Sequence, residues 1–245
     1  MAKKEKKEQQ FEVICGAHSV IEMLKAKKRK LISLYTTQPV PKAWERIKPY
    51  LPKYIPNIQY YTRARLDQIA GTQDHMGIVA LVSKFPFQTK MFDPSKKKFI
   101  LFLDSIQDVR NLGAILRSAY CTGIEGVVLC KKNSAPLNAA AILSSAGLAE
   151  HLDIYVAQTS ISAVEDIKRA GYNIYMAVLE NGKDATKIEY KKPACLVIGN
   201  EAVGIAKKLQ SEGVLITLPQ READISYNAS VASGILLFLI SQKLK

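Results

Sequence analysis

From residue 99 onward, short apolar runs alternate with stretches whose apolar residues recur at helical spacing. Phe99–Leu103 reads as a buried strand, followed by a helix over Gly113–Thr122, a strand over Gly126–Leu129 and a helix over Ala139–Ala146. The rhythm continues with a strand at Ile154–Val156, a helix at Ser160–Ala170, and strands at Asn173–Val178 and Ala194–Ile198. A helix at Ile205–Gln210, a strand at Val214–Leu218 and a buried helix from Val231 through Leu239 complete it. Such alternation predicts an α/β domain with a mostly parallel sheet, covered on both faces, and ligands at the strand C-terminal ends.

Upstream, strands at Phe11–Ile14, Leu31–Tyr35, Asn57–Tyr61 and Ile78–Val82 interleave with helices at Ser19–Lys27, Lys42–Ile47 and Leu66–Gly71. This predicts a separate small α/β unit of ordinary domain size. Between the two, residues 85–98 carry Pro86, Pro94 and the triplet Lys96–Lys98 and read as a linker. Residues 1–10 are charged and polar with nothing to bury, so disorder is expected there. The expected organisation is therefore a tail over 1–10, a small domain over 11–84, a linker over 85–98 and a larger domain over 99–245.

Charge narrows the class of partner. Thirty-five Lys and Arg against 22 Asp and Glu give a net charge of +13, which favours a polyanion, most economically nucleic acid. The basic run Lys25–Lys30 and the triplet Lys96–Lys98 are the densest patches. Cys15, Cys121, Cys130 and Cys195 form no metal-binding spacing with the scattered His18, His75 and His151. They are expected to be reduced core residues of a cytoplasmic protein that needs no metal. No apolar run approaches the ~18–20 residues of a membrane span, and the first residues lack the hydrophobic stretch of a signal peptide.

Three polar stretches sit where the sheet should expose ligand-binding loops. In Asp104–Arg117 (DSIQDVRNLGAILR), Asn111 lies at or near a helix start and Arg117 follows a little under two turns later. Asn111 either caps the helix while Arg117 makes an ion pair, or both face a ligand; Gly113 allows close approach of another backbone or a ligand. Ile198–Ile205 (IGNEAVGI) ends a strand with a glycine-flanked acidic turn. Val214–Leu239 closes a strand at Pro219, runs through a polar loop from Gln220 to Asp224, and places Ser226, Asn228 and Ser230 before the last helix. Those small polar residues can cap the helix and leave backbone N–H groups pointing outward.

Taken together and in this order, the three stretches resemble the motifs of the SpoU (TrmH-type) branch of the knotted SPOUT methyltransferases. Asn111, Gly113 and Arg117 match the first motif; Gly199, Asn200, Glu201 and Gly204 match the second; Ser226, Asn228 and Ser230 match the third. Departures are Ala202, where the family usually has glycine, and Tyr227 and Ala229 in the third motif. If position 202 needs a positive φ, alanine there costs of order 1 kcal/mol. Ser134, Leu137–Asn138, Ser144–Gly147 and Glu150 resemble the family's middle segment. Cys15–Val20, Leu66–Asp67 and His75–Ala80 resemble its N-terminal RNA-binding domain of ribosomal-protein-like fold, with Met76 where glutamine is common. The likeness covers nearly all of residues 11–245.

The resemblance implies a trefoil-knotted SPOUT domain that transfers a methyl group from S-adenosylmethionine to an RNA ribose 2′-OH. It is closest to the type acting on guanosine of large-subunit (23S) rRNA; tRNA methylation, or a catalytically silent RNA-binding assembly factor, are the alternatives. Carried over residue by residue, Arg117 is the catalytic arginine, with Asn111, Glu201, Ser226 and Asn228 around the reacting ribose. The cofactor would lie against Ile198, Gly199, Asn200, Ile216, Leu218, Pro219, Tyr227 and Asn228. A homodimer is implied, because family sites form across the knot interface. Arginine is effectively always protonated, so Arg117 is expected to clamp phosphate and stabilise the forming alkoxide, with Glu201 orienting it or a water.

Overall fold

A computed structural model describes residues 11–53, 57–221 and 226–245. The expected tail over 1–10 and most of the loop from Gln220 to Asp224 lie outside the described residues. The chain divides into two compact units, Met1–Pro86 and Phe87–Lys245, each considered by itself.

In the first unit, β1 (Phe11–Cys15), α1 (Ala17–Ala26), β2 (Leu31–Thr36), α2 (Ala43–Ile47), β3 (Ile58–Tyr60), α3 (Arg63–Ala70) and β4 (Ile78–Ser83) follow in order. The sheet runs β1-β4-β2-β3; β4 is antiparallel to β1 and β2, and β3 is parallel to β2. Ile14, Val20, Met23, Leu34, Ile47, Leu66 and Ile78 fill its core. His75 is fully buried before β4. Its Nδ1 accepts the Gly77 N–H at 2.9 Å, so Nε2 donates to Asp67 Oδ1 at 2.6 Å. The basic run is partly structural. The Arg29 side chain is only 1% exposed, paired with Glu12 at 2.6 Å and donating from Nε to the Ser83 carbonyl.

The second unit holds β5 (Phe99–Leu103), α4 (Val109–Cys121), β6 (Gly126–Cys130), α5 (Ala139–Ser144), β7 (Ile154–Ala157) and α6 (Ser160–Ala170). Then come β8 (Asn173–Ala177), β9 (Lys183–Asp184), β10 (Ala194–Ile198), β11 (Val214–Thr217) and α7 (Ala229–Lys243). The sheet order is β7-β6-β5-β10-β8-β11-β9, and every neighbouring pair runs parallel. Both faces are covered, so the strands are apolar throughout: β5, β6 and β10 are buried at every position. Ile100, Phe102, Val128, Val197 and Met176 pack with Ala163, Val164 and Ile167 of α6 on one face, and α4 and α7 pack together elsewhere in the unit.

Local chemistry shifts several expected boundaries. Helix α4 begins at Val109 because Asp108 is the cap, its Oδ1 accepting the N–H groups of Arg110 at 2.6 Å and Asn111 at 3.4 Å. Asn111 therefore lies in the first turn and does not cap the helix. Gly113 is the point where α4 meets α5: a Cβ there would stand 2.5 Å from the Ala141 carbonyl oxygen and the Ser144 Cβ. The helix expected at Ile205–Gln210 is a 3-10 segment, Lys207–Glu212, a form that suits short pieces. The two-residue β9 is too short to leave a periodic signal. Within 87–98, Phe92 is buried over Gly126, and the Lys97 ammonium binds Asp153 at 2.7 Å and the Glu125 carbonyl. That stretch packs on the second unit.

Candidate active site

At the C-terminal ends of β8, β10 and β11 the chain leaves a cleft of about 570 Å³, within the range of sites for drug-sized ligands. One wall is the loop Gly199–Gly204, another is Leu218, Ser226 and Tyr227 with the start of α7, and the third is Val178–Asn181 after β8.

The loop after β10 is tied back on itself. A Cβ on Gly199 would stand 2.4 Å from the Gly204 carbonyl carbon and the Ile205 nitrogen, so only glycine fits. Asn200 holds the turn. Its Oδ1 accepts the N–H groups of Ala202 at 2.9 Å and Val203 at 3.1 Å, and its Nδ2 donates to the Ser105 carbonyl at 2.8 Å. The left-handed residue of the loop is Gly204, at φ 64°; Ala202 is not left-handed. Alanine at 202 therefore carries no backbone strain.

Glu201 joins this loop to the start of α4. Its carboxylate accepts the N–H groups of Gln107 at 3.2 Å and Asp108 at 3.3 Å, and the Asn111 side-chain amide at 3.2 Å. Partial burial pushes the carboxyl up. The hydrogen bonds outweigh this and hold it below the usual carboxylate range. Asn111 and Glu201 are thus brought together. Arg117 is exposed and makes no hydrogen bond or ion pair with another described residue, so the expected orientation of Arg117 by Glu201 is not present within the chain. Glu201 is instead engaged by the start of α4.

Ser226 and Tyr227 line the cleft. Asn228 caps α7, its Oδ1 accepting the Ser230 N–H at 2.8 Å and hydroxyl at 2.6 Å. Of the residues expected against a cofactor, Ile198, Gly199, Asn200, Leu218 and Tyr227 line the cleft. Ile216 is buried within β11, and Pro219 and Asn228 adjoin lining residues. The wall over Val178–Asn181 was missed. Its signal was available, since the end of β8 must open on the same side of a parallel sheet as the end of β10. Among the described residues no group of three or more His, Cys, Asp or Glu could hold a metal ion.

Residues 98–238 match the SpoU rRNA Methylase family, and residues 13–88 match the domain described as RNA 2'-O ribose methyltransferase substrate binding. The chain belongs to the SpoU rRNA methylase family. Over 243 residues it is 30% identical to YacO of Bacillus subtilis, assigned by name to the TrmH family of tRNA/rRNA methyltransferases, covering 96% of this chain and 97% of that one. Over 237 residues it is 28% identical to the 23S rRNA (guanosine-2'-O-)-methyltransferase RlmB of Shewanella oneidensis, covering 93% and 95%. In fold it superposes on the AdoMet-bound rRNA methyltransferase of Sinorhizobium meliloti with a TM-score of 0.78, at 22% identity, covering 96% and 88%.

The chain is an RNA 2′-O-ribose methyltransferase that uses S-adenosylmethionine, as SpoU methylases do. The cleft suits that cofactor: the Gly199 turn packs the loop closely on itself at the strand end, and the cleft beside it has the volume for a drug-sized ligand. Ile198, Leu218, Ala232 and Leu236 supply its apolar lining.

Proposed function

We propose that the RNA substrate is ribosomal, with a guanosine of the large-subunit (23S) rRNA as the acceptor nucleoside. The observation that carries this is the alignment with a 23S rRNA guanosine methyltransferase across 93% of the chain, which takes in both units. Methylation of tRNA is the second reading, favoured by the name of the Bacillus subtilis relative, which spans both substrates. Against a silent assembly factor stands the presence together of Asn111, Arg117, Glu201, Ser226 and Asn228.

In the proposed reaction the bound cofactor supplies an electrophilic methyl group on sulfur. Gly199, Leu218 and Tyr227 hold the pocket, with Ile198, Asn200, Ile216, Pro219 and Asn228 shaping it. Glu201 fixes Asn111 at the start of α4. Ser226 and Asn228 position the ribose. Arg117, always charged, binds the adjacent phosphate and stabilises negative charge as the 2′-oxygen attacks, its proton passing to phosphate or solvent.

The working form in this reading is a homodimer in the cytoplasm. Support comes from α4 and α7, which expose Tyr120 (41%), Val231 (50%) and Phe238 (62%) on packed neighbouring helices. Arg117 sits on α4 with no hydrogen bond or ion pair to another described residue, which suits a role in the cleft of a second copy. The trefoil threading belongs to the same proposal, supported by β11 entering between β8 and β9. No helix of the described residues is long and apolar enough to cross a membrane.

The test is to map ribose methylation across rRNA and tRNA in cells with and without the gene. Loss of one 2′-O-methylguanosine in 23S rRNA is expected. Loss confined to tRNA would overturn the rRNA reading.

A further inference from the structure

A second cavity, of about 560 Å³, lies on the other side of the Gly199–Gly204 loop. It forms where the loops after four adjacent parallel strands converge. Ser105 and Gln107 follow β5, Lys132 and Asn133 follow β6, Thr159 and Ser160 follow β7, and Asn200 with Ala202–Gly204 follow β10. The chain leaves β5 for β6 and β7 on one side, then crosses to β8 on the other, where β10 later enters beside β5. This is the switch point where open α/β sheets bind ligands. The cofactor cleft does not use it, because that cleft sits over β8, β10 and β11.

Two features say what the cavity takes. Lys132 and Lys208 line it, both exposed, and neither side chain makes a hydrogen bond or ion pair with another described residue. The acidic group at the floor is already engaged: Asp104 is 3% exposed and accepts the hydroxyls of Ser160 and Ser105. The open cationic positions are therefore the two exposed lysines, not the buried carboxylate. Asn200, Ala202, Val203 and Gly204 line both cavities, so whatever fills this one lies one loop's thickness from the cofactor cleft.

We propose that this switch-point cavity is an RNA subsite in which Lys132 and Lys208 bind backbone phosphates flanking the acceptor nucleotide. The inference rests on the methyltransferase reading for the identity of the polyanion, and on the cavity's own geometry for its place. The shared loop would couple the two sites, since a nucleotide seated against Val203 presses on the turn that Asn200 and Glu201 hold.

The experiment uses the full chain and a fluorescein-labelled 20-nucleotide single-stranded RNA of mixed sequence, titrated by anisotropy from low to moderate potassium chloride. The variants are Lys132→Gln with Lys208→Gln together, and Lys192→Gln as a control at the N-terminal ends of the strands. Two lost phosphate contacts should weaken binding on the order of tenfold and reduce the salt slope by about 1.4, while the control stays at wild type. Calorimetric affinity for S-adenosylmethionine should equal that of the wild type in both variants. Equal affinity and slope in the double variant, an equal loss in the control, or no RNA binding by the wild type would each overturn the subsite. Failure of the wild type to bind S-adenosylmethionine would instead overturn the methyltransferase reading, and the RNA titrations would still decide the subsite.

Discussion

Arg117 and Glu201 are separated by what they touch. Glu201 is held by two backbone amides and the Asn111 side chain, whereas Arg117 is held by nothing described in its own chain. Arg117→Ala should therefore abolish methyl transfer at saturating RNA while cofactor affinity measured by calorimetry stays within a few-fold. Arg117→Lys should also be poor, because an ammonium cannot reproduce a planar two-pronged clamp. Substantial turnover by the alanine variant would mean another residue meets the developing charge. Glu201 gives a pH prediction with a definite sign. Its folded carboxyl is held below the ordinary range, so it contributes stability above the unfolded pKa, and that contribution is lost as pH falls through the folded one. Urea melts of wild type and Glu201→Gln should differ most near neutrality and converge in acid. A gap that widens in acid would show that the carboxylate is not stabilised by those contacts.

The elements were legible wherever periodicity had room to register. The run FILFL at Phe99–Leu103 is β5 without adjustment, and Ser160–Ala170 is α6 residue for residue. Boundaries moved where one side chain decides them. Asp108 starts α4 four residues before the helical spacing becomes visible at Gly113. The motif residues were legible as residues, but their partners were not. Nothing in the spacing says that Glu201 grips the start of α4, because that contact spans 90 positions. The wall after β8 carries no motif, and the parallel alternation that puts its loop on the ligand side does not by itself say that β8 lies beside β10. Of the two close approaches that Gly113 allows, another backbone or a ligand, the one the fold uses is the backbone of α5. Gly113→Ala should destabilise the protein by about 1–3 kcal/mol through overpacking against Ala141 and Ser144. Denaturant unfolding checks this, and a midpoint equal to wild type would mean that α5 yields without cost.

At the scale of the molecule, the division at Pro86 sets where a truncation has meaning. The expected linker over 85–98 suggests cutting near Pro94. Phe92 packs over Gly126 of the second unit, so a cut there would strip it away. A chain starting at Phe87 should fold, bind S-adenosylmethionine and lose RNA affinity, with a shallower salt dependence than the full chain. Equal slopes in paired salt titrations would mean that the first unit grips no backbone. Arg29 contributes little to such a grip, being consumed by Glu12 and Ser83.

The strand order also dictates when the sheet can close during synthesis. β10 must enter between β5 and β8, and β11 between β8 and β9, although each incoming strand is made after both of its neighbours. A nascent chain that has emitted β5 through β9 cannot pair β5 with β8 without blocking its own completion. It has to keep two slots open, and parallel pairings of such long sequence separation form slowly. During that wait the edges of Phe99–Leu103 and Asn173–Ala177 are unpaired and apolar, the condition under which strands add to the wrong chain. The N-terminal unit, whose central β4 arrives last of its four strands, is complete long before then. The enzyme is thus made with its RNA-binding half finished while its catalytic half is at its most vulnerable.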